Sequence, residues 1–112
     1  MVTPVWNDSK RLARFAPKLG AAIIDSNLPI LWVIADDGSN ALDRTKYQEI
    51  SEYVRSLGCK VDIFRLGERS FKGGVIFEAW NNYQQAEWLA FVDADGAVSA
   101  KSILDLICSA RE

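Results

Sequence analysis

The sequence contains no histidine, only two cysteines and only three prolines in 112 residues. Without imidazole, the chain cannot build a histidine-dependent serine or cysteine catalytic triad, nor a histidine-rich zinc site. Cys59 stands at what looks like the start of a strand, and Cys108 stands on what looks like a buried helix face. We therefore expect reduced cysteines that serve packing, as is usual in cytosolic proteins.

Long apolar runs and clusters of positive charge are also missing. The longest uninterrupted apolar run covers residues 30–35, far short of the ~20 residues that span a bilayer. The start, MVTPVWND, lacks the basic beginning and apolar core of a signal peptide, so we expect a cytoplasmic protein without a membrane span. The formal net charge is −2, and basic residues are scattered apart from the pair at 10–11. Nucleic acid is therefore not an expected partner.

What is present is an ordinary globular composition, with 49% apolar and 25% charged residues. We expect one domain over residues 1–112, long enough to bury roughly two thirds of its unfolded surface. Short β-branched runs predict strands at residues 2–6, 30–35, 60–66 and 88–93.

Amphipathic segments between these runs predict four helices. Ser9 is the expected N-cap of the first, and Pro17 should kink or divide it. Asp43 is the expected cap of the second, which Gly58 should close. The third should run from about residue 74 to 86, and Ser99 should cap the fourth. The expected buried stripes are Leu12, Phe15, Ala16, Leu19 and Ile23, then Tyr47, Ile50, Val54 and Leu57, then Ile76, Ala79, Trp80 and Tyr83, then Ile103, Leu106, Ile107 and Ala110.

The alternation of strands and helices predicts an α/β fold: a Rossmann-like three-layer sandwich around a mostly parallel four-stranded sheet. In open sheets of this kind, ligands bind beyond the carboxyl ends of the strands, where the strand order reverses. Two acidic segments fall at such ends, IADDGSN at residues 34–40 and FVDADGAVS at residues 91–99. Both are therefore expected at the same edge of the sheet.

These acids allow two interpretations. Asp93 and Asp95 project to one side while the strand persists, and two such carboxylates repel unless a cation lies near them. A hard divalent ion such as Mg²⁺ or Mn²⁺ suits oxygen ligands. Asp and Gly are equally common in plain solvated turns, and that alternative holds for Asp36 and Asp37 too. Convergence of both segments on one crevice favours a site.

Four motifs in this order, TPVWND, IADDGSN, KGGVIFEAWNNY and FVDADG, resemble the family 2 glycosyltransferases of the GT-A fold over nearly the whole chain. These enzymes transfer a sugar from a nucleotide diphosphate donor, commonly with inversion. The resemblance implies a strand order of 3-2-1-4 in a truncated GT-A fold. It also implies a donor such as a UDP-sugar and a Mn²⁺ or Mg²⁺ ion.

The resemblance assigns roles to individual residues. Pro4, Val5 and Trp6 would lie against the base and ribose. Asp37 would accept a hydrogen bond from the base, and Lys72 matches, loosely, a basic residue near the diphosphate. Asp95 would be the direct metal ligand, with Asp93 nearer the ribose or a metal-bound water.

In the family, the acceptor site and the catalytic base lie in the segment that follows a DxD motif, matched here by Asp93 and Asp95, and the helix after it. The 112 residues stop at that helix. No catalytic residue is therefore assigned. Two other interpretations stay open. A receiver-like phosphoacceptor domain also uses acids at strand ends, but its acid pair follows the first strand. A non-catalytic interaction module of the same fold would expose apolar surface, and with four tryptophans we expect a homodimer.

Overall fold

A computed structural model of the chain describes residues 1–84, 90–94 and 99–111. Strands and helices alternate through most of this part, which confirms the predicted α/β class. The elements are β1 (Val2–Val5), α1 (Ser9–Ser26), β2 (Leu31–Asp36), α2 (Ala41–Ser56), β3 (Lys60–Arg65), α3 (Phe71–Asn82) and α4 (Ala100–Arg111).

The three named strands form a parallel sheet in the order β1-β2-β3. On the other side of β1, the backbone N–H of Val2 donates to the carbonyl of Ala90 at 2.8 Å. The backbone N–H of Val92 donates to the carbonyl of Val2, also at 2.8 Å, so Phe91 forms a parallel bridge there. Residues 88 and 89 of the expected fourth strand lie outside the described part, and the full order 3-2-1-4 stays a prediction.

The alternation of side chains along β2 builds a core on each face of the sheet. Trp32 and Ile34 join the larger cluster, to which α1, α2 and α4 contribute. Val33 and Ala35 join a smaller cluster under α3. The buried indole Nε1 of Trp32 donates to Oγ1 of Thr3 at 2.8 Å, which links β2 to β1 inside the larger core.

Helix α1 runs through Pro17 without division, so of the two expected effects, a kink or a division, the division does not occur. Its apolar stripe is buried as predicted, with Phe15 and Leu19 on either side of the proline both in the core. Burial of both halves on the same sheet favours one helix despite the missing N–H of proline. The N-cap is Asp8, and Ser9 is the first helical residue.

Helix α2 begins differently from the sequence-based expectation. Asn40 is its N-cap and accepts the backbone N–H of Asp43 on its side chain at 2.8 Å. The carboxylate of Asp43 instead accepts the backbone N–H of Ser9 at 3.0 Å, which joins the starts of α1 and α2. Hydrogen bonding from Ser9, from its side chain first and from its backbone N–H second, lowers the pKa of Asp43. At the other end, Gly58 follows the C-cap with φ 104°, as predicted.

The last helix packs over a narrower face than its sequence pattern suggests. Ser99 caps it, accepting the backbone N–H of Ser102 at 3.1 Å, as predicted. Ile103 is buried, but the expected core residue Leu106 is 76% exposed. Cys108 is also exposed, whereas Cys59 is buried as expected; both thiols are free.

Among the described helices, none is both long and apolar enough to cross a bilayer.

Candidate functional site

A cleft of about 320 Å³ opens beyond the carboxyl ends of β1 and β2, where the fold class predicts a ligand site. Four parts of the chain supply its walls: the end of β1 with the start of α1, the turn after β2, the loop after β3 with the start of α3, and residues 93–94. The lining residues are Pro4, Val5, Trp6, Asp8, Arg11, Asp37, Arg69, Val75, Asp93 and Ala94.

The turn after β1 is held in place by the turn after β2. Asn7 adopts the left-handed conformation with φ 48°, and its backbone N–H donates to Oγ of Ser39 at 2.9 Å. The side-chain oxygen of Asn7 accepts the backbone N–H of Asn40 at 2.8 Å. The backbone N–H of Asp8 donates to the buried hydroxyl of Tyr47 at 2.9 Å. These contacts fix the segment that presents Trp6 to the cleft.

The two adjacent acids at the end of β2 have different environments. Asp36 is 1% exposed; it accepts the backbone N–H of Ser39 at 2.8 Å, and its Oδ2 lies 3.7 Å from Nε of Arg65. Asp37 lines the cleft and accepts the backbone N–H of Ser70 at 2.6 Å. Asp36 therefore stabilises the turn, and Asp37 is the acid of this pair that belongs to the cleft.

Gly38 permits a close approach between the turn after β2 and the loop after β3. Its φ of +80° is a conformation that L side chains rarely adopt. A Cβ atom at this position would lie 3.1 Å from the backbone nitrogen of Arg69 and 3.2 Å from the carbonyl carbon of Glu68. The glycine thus allows the loop that carries Arg69 to reach the cleft.

Arg69 is a cation of the cleft that contacts two aromatic rings and faces an acid. Its guanidinium carbon lies 3.7 Å from the centroid of the Trp6 ring and 4.3 Å from the centroid of the Phe71 ring. Its Nε atom is 4.0 Å from Oδ2 of Asp37. A second cation, Arg11, forms an ion pair with Asp8 at 2.6 Å. The cleft therefore contains both acidic and basic groups.

The metal site expected at the DxD motif is only partly covered by the described residues. Asp93 is exposed and lines the cleft on the side opposite β2, after the segment that bonds to β1. Asp95 lies outside the described residues. Within the described residues, no group of three acids or cysteines is close enough to hold a metal ion. A carboxylate at the rim of a polar cleft is the right donor type for Mg²⁺ or Mn²⁺.

The structure brings together most of the residues that the sequence singles out. Those that line the cleft are Pro4, Val5, Trp6, Asp37 and Asp93. Lys72 belongs to α3, but its side chain, like Asp95, lies outside the description.

Two arginines of the cleft, Arg69 and Arg11, were not expected from the sequence. The sequence pattern could have indicated Arg69, because this residue follows the carboxyl end of β3 and therefore lies at the same edge of the sheet. Arg11 lies in the first turn of a helix, where its long side chain reaches the cleft only because α1 starts there.

Comparison of the chain with protein-family models and with curated proteins finds no match.

Proposed function

We propose that this chain is a glycosyltransferase-like domain that binds a nucleotide-diphosphate sugar together with a divalent metal ion. The observation that carries the proposal is one cleft lined by Trp6, Asp37 and Asp93, which three separate motifs contribute. Their meeting at the carboxyl edge of a parallel sheet is what a donor site of this kind requires.

The proposed roles follow the chemistry of each group. Pro4, Val5 and Trp6 offer an apolar and aromatic wall against which a base and ribose can pack. Asp37 is nine-tenths or more buried, and its Oδ2 faces Arg69 and can accept an N–H from a base edge. The guanidinium groups of Arg69 and Arg11 are cationic donors of the type that binds an anionic diphosphate.

Asp93 and Asp95 would hold the Mn²⁺ or Mg²⁺ ion. When bound, such an ion neutralises the negative charge that grows on the diphosphate leaving group. The carboxylate of Asp93 contributes an oxygen donor at the mouth of the cleft, where it is exposed and can meet a hydrated ion. A sugar acceptor and a base for its hydroxyl are not assigned to any residue of this chain.

The test is a thermal-shift panel of nucleotide diphosphates with and without Mn²⁺ or Mg²⁺. We expect a rise in the melting temperature with UDP or another nucleotide diphosphate only when the metal is present. Asp95→Ala should abolish the metal-dependent part of that rise, and Asp93→Ala should reduce it. Asp25→Ala is the matched control, because Asp25 is an exposed acid at the far end of α1.

The absence of a shift with every nucleotide and metal combination would reject the donor-binding function. If Asp25→Ala and Asp95→Ala lose the metal-dependent rise in melting temperature equally, net charge rather than a metal site produces that rise.

A homodimer is proposed for the same chain on separate grounds. Phe77 on α3 is 74% exposed and Leu106 on α4 is 76% exposed, a costly arrangement for large apolar side chains in water. A two-fold contact through either helix would bury one of these side chains. Light scattering at micromolar concentration tests the proposal, and a monomeric mass would refute it. If the nucleotide panel is negative and the protein dimerises, the non-catalytic interaction module becomes the better interpretation.

A further inference from the structure

The aromatic face that the cleft offers to a ligand is covered by the protein's own arginine. The guanidinium of Arg69 lies over the Trp6 ring at 3.7 Å and over the Phe71 ring at 4.3 Å. Stacked planar groups are separated by about 3.5–4.0 Å. The guanidinium group therefore occupies the space next to both rings.

A flat ligand would use the same surface. Trp6 is 42% exposed and lines the cleft, so its ring is a natural stacking partner for a heteroaromatic base. While Arg69 covers that face of the indole, a base cannot lie on the same area of the ring. The arginine and a stacked base are thus alternative occupants of one slot.

The backbone at Arg69 is held by several contacts, whereas the guanidinium group of Arg69 can rotate away from the rings. The neighbouring Ser70 donates its backbone N–H to Asp37 at 2.6 Å, and Gly38 packs against the backbone of Arg69 itself. Phe71 has φ 67°, a strained conformation for a bulky residue that such contacts must hold. The side chain of Arg69, by contrast, is 40% exposed. Rotation about its own bonds would carry the guanidinium into water without moving the loop.

Departure of the guanidinium also uncovers an acceptor. Oδ2 of Asp37 lies 4.0 Å from Nε of Arg69, while Oδ1 already accepts from Ser70. The Asp37 side chain is only 3% exposed, so an uncompensated carboxylate there is unfavourable. A ligand ring with an N–H on its edge would replace both contacts of Arg69, the one with the Trp6 ring and the one with Oδ2 of Asp37.

We propose that Arg69 is a displaceable plug, which in the free protein covers the Trp6 ring where a nucleobase would stack, and which swings out when a nucleobase enters. The inference rests on the proposed function, since it takes the ligand to be a nucleotide. The plug lowers the apparent affinity for the base by the fraction of molecules in which the slot is open. Removal of the plug should therefore strengthen the base-dependent part of binding.

The experiment compares UDP with inorganic pyrophosphate, each with Mn²⁺, by isothermal titration calorimetry. The ratio of their affinities isolates the contribution of the nucleoside, because both ligands present a diphosphate. The proteins are the wild type, Arg69→Ala and Arg69→Lys. Arg65→Ala is the matched control, because Arg65 lies 3.7 Å from the buried Asp36 and is 37% exposed, yet does not line the cleft.

In Arg69→Ala we expect the UDP-to-pyrophosphate affinity ratio to rise roughly two- to thirtyfold, the range of cation–π contacts from exposed to desolvated sites. Arg69→Lys should give a smaller rise, since an ammonium group lacks the planar shape that fills the slot. Arg65→Ala should leave the ratio unchanged.

An unchanged or lower ratio in Arg69→Ala, with UDP still bound in the presence of Mn²⁺, would overturn the plug and leave the donor-binding function intact. A higher ratio with binding that does not need Mn²⁺ would support the plug and reject the metal-dependent donor site. A failure of UDP and pyrophosphate to bind any of the proteins would overturn both.

Discussion

Asp37 accepts the backbone N–H of Ser70 on Oδ1 at 2.6 Å, although 33 positions separate them in the chain. The hydroxyl of Ser70 adds a longer contact to the same oxygen at 3.4 Å. One carboxylate thus joins the turn after β2 to the loop that precedes α3. That loop contains Arg69, and Phe71 follows as the first residue of α3, so the shape of the cleft depends on this hydrogen bond.

Asp37→Ala should destabilise the protein and also remove the proposed nucleotide binding. The Ser70 N–H loses its acceptor, and an unsatisfied donor of this kind costs about 1–3 kcal/mol in the free energy of unfolding. Asp37→Asn should cost less, because the amide oxygen can still accept the N–H. Urea unfolding measures the difference. Equal stability of wild type and Asp37→Ala would contradict a structural role for this contact.

Gly38→Ala should lower the free energy of unfolding by about 1–2 kcal/mol, because an L residue is strained at φ +80°. The added Cβ atom would also press on the backbone of Arg69, so nucleotide-dependent stabilisation should weaken in parallel. Gly73→Ala is the control for glycine replacement as such. A Cβ atom there meets nothing within 4 Å in helix α3, and the change should be neutral or stabilising by up to about 1 kcal/mol.

Thr3→Val should destabilise the core despite its nearly equal size. The buried Nε1–H of Trp32 would lose its acceptor, at a cost of about 1–3 kcal/mol. The same substitution in a Trp32→Phe background should cost much less, since no indole N–H is then left unpaired. A double-mutant cycle by urea unfolding measures this coupling. Additive effects of the two substitutions would show that the hydrogen bond contributes nothing.

Tyr47→Phe should destabilise the protein at neutral pH by about 1–3 kcal/mol, because the N–H of Asp8 loses the hydroxyl that accepts it. Ser39 loses a partner at 3.1 Å as well. The turn that carries Trp6 would also be held less firmly, so nucleotide affinity should fall with stability.

The loss of unfolding free energy caused by Tyr47→Phe should become smaller at alkaline pH. Burial raises the pKa of Tyr47 above its ordinary value of 10.0, so the folded protein keeps the phenol neutral where the unfolded chain ionises it. The stability that this neutral form contributes is present below pH 10.0 and is lost as the pH rises through the folded value. Urea unfolding of both proteins from pH about 8 to about 11 measures it. A difference that stays constant over this range would contradict the assignment.

The sequence predicted the elements better than their ends. Periodicity of apolar residues located α1, α2 and β2 because a helix or strand that buries one face repeats at a fixed interval. The caps were less predictable: Asp43 bonds to Ser9 across two helices, and Asn40 takes the capping role instead. Leu106 fits the helical period but is exposed, because its position depends on what α4 packs against.

The sequence by itself determined that acids would stand at the carboxyl edge of a parallel sheet, since strand direction and the local motifs place Asp37 and Asp93 there. Only the tertiary structure decided that Asp36 turns inward to Arg65 while Asp37 faces the cleft and Ser70. It also decided that Arg69 stacks on Trp6. Periodicity is a property of neighbouring residues, whereas these contacts join loops from different strands, and the packing of the whole sheet sets their distances.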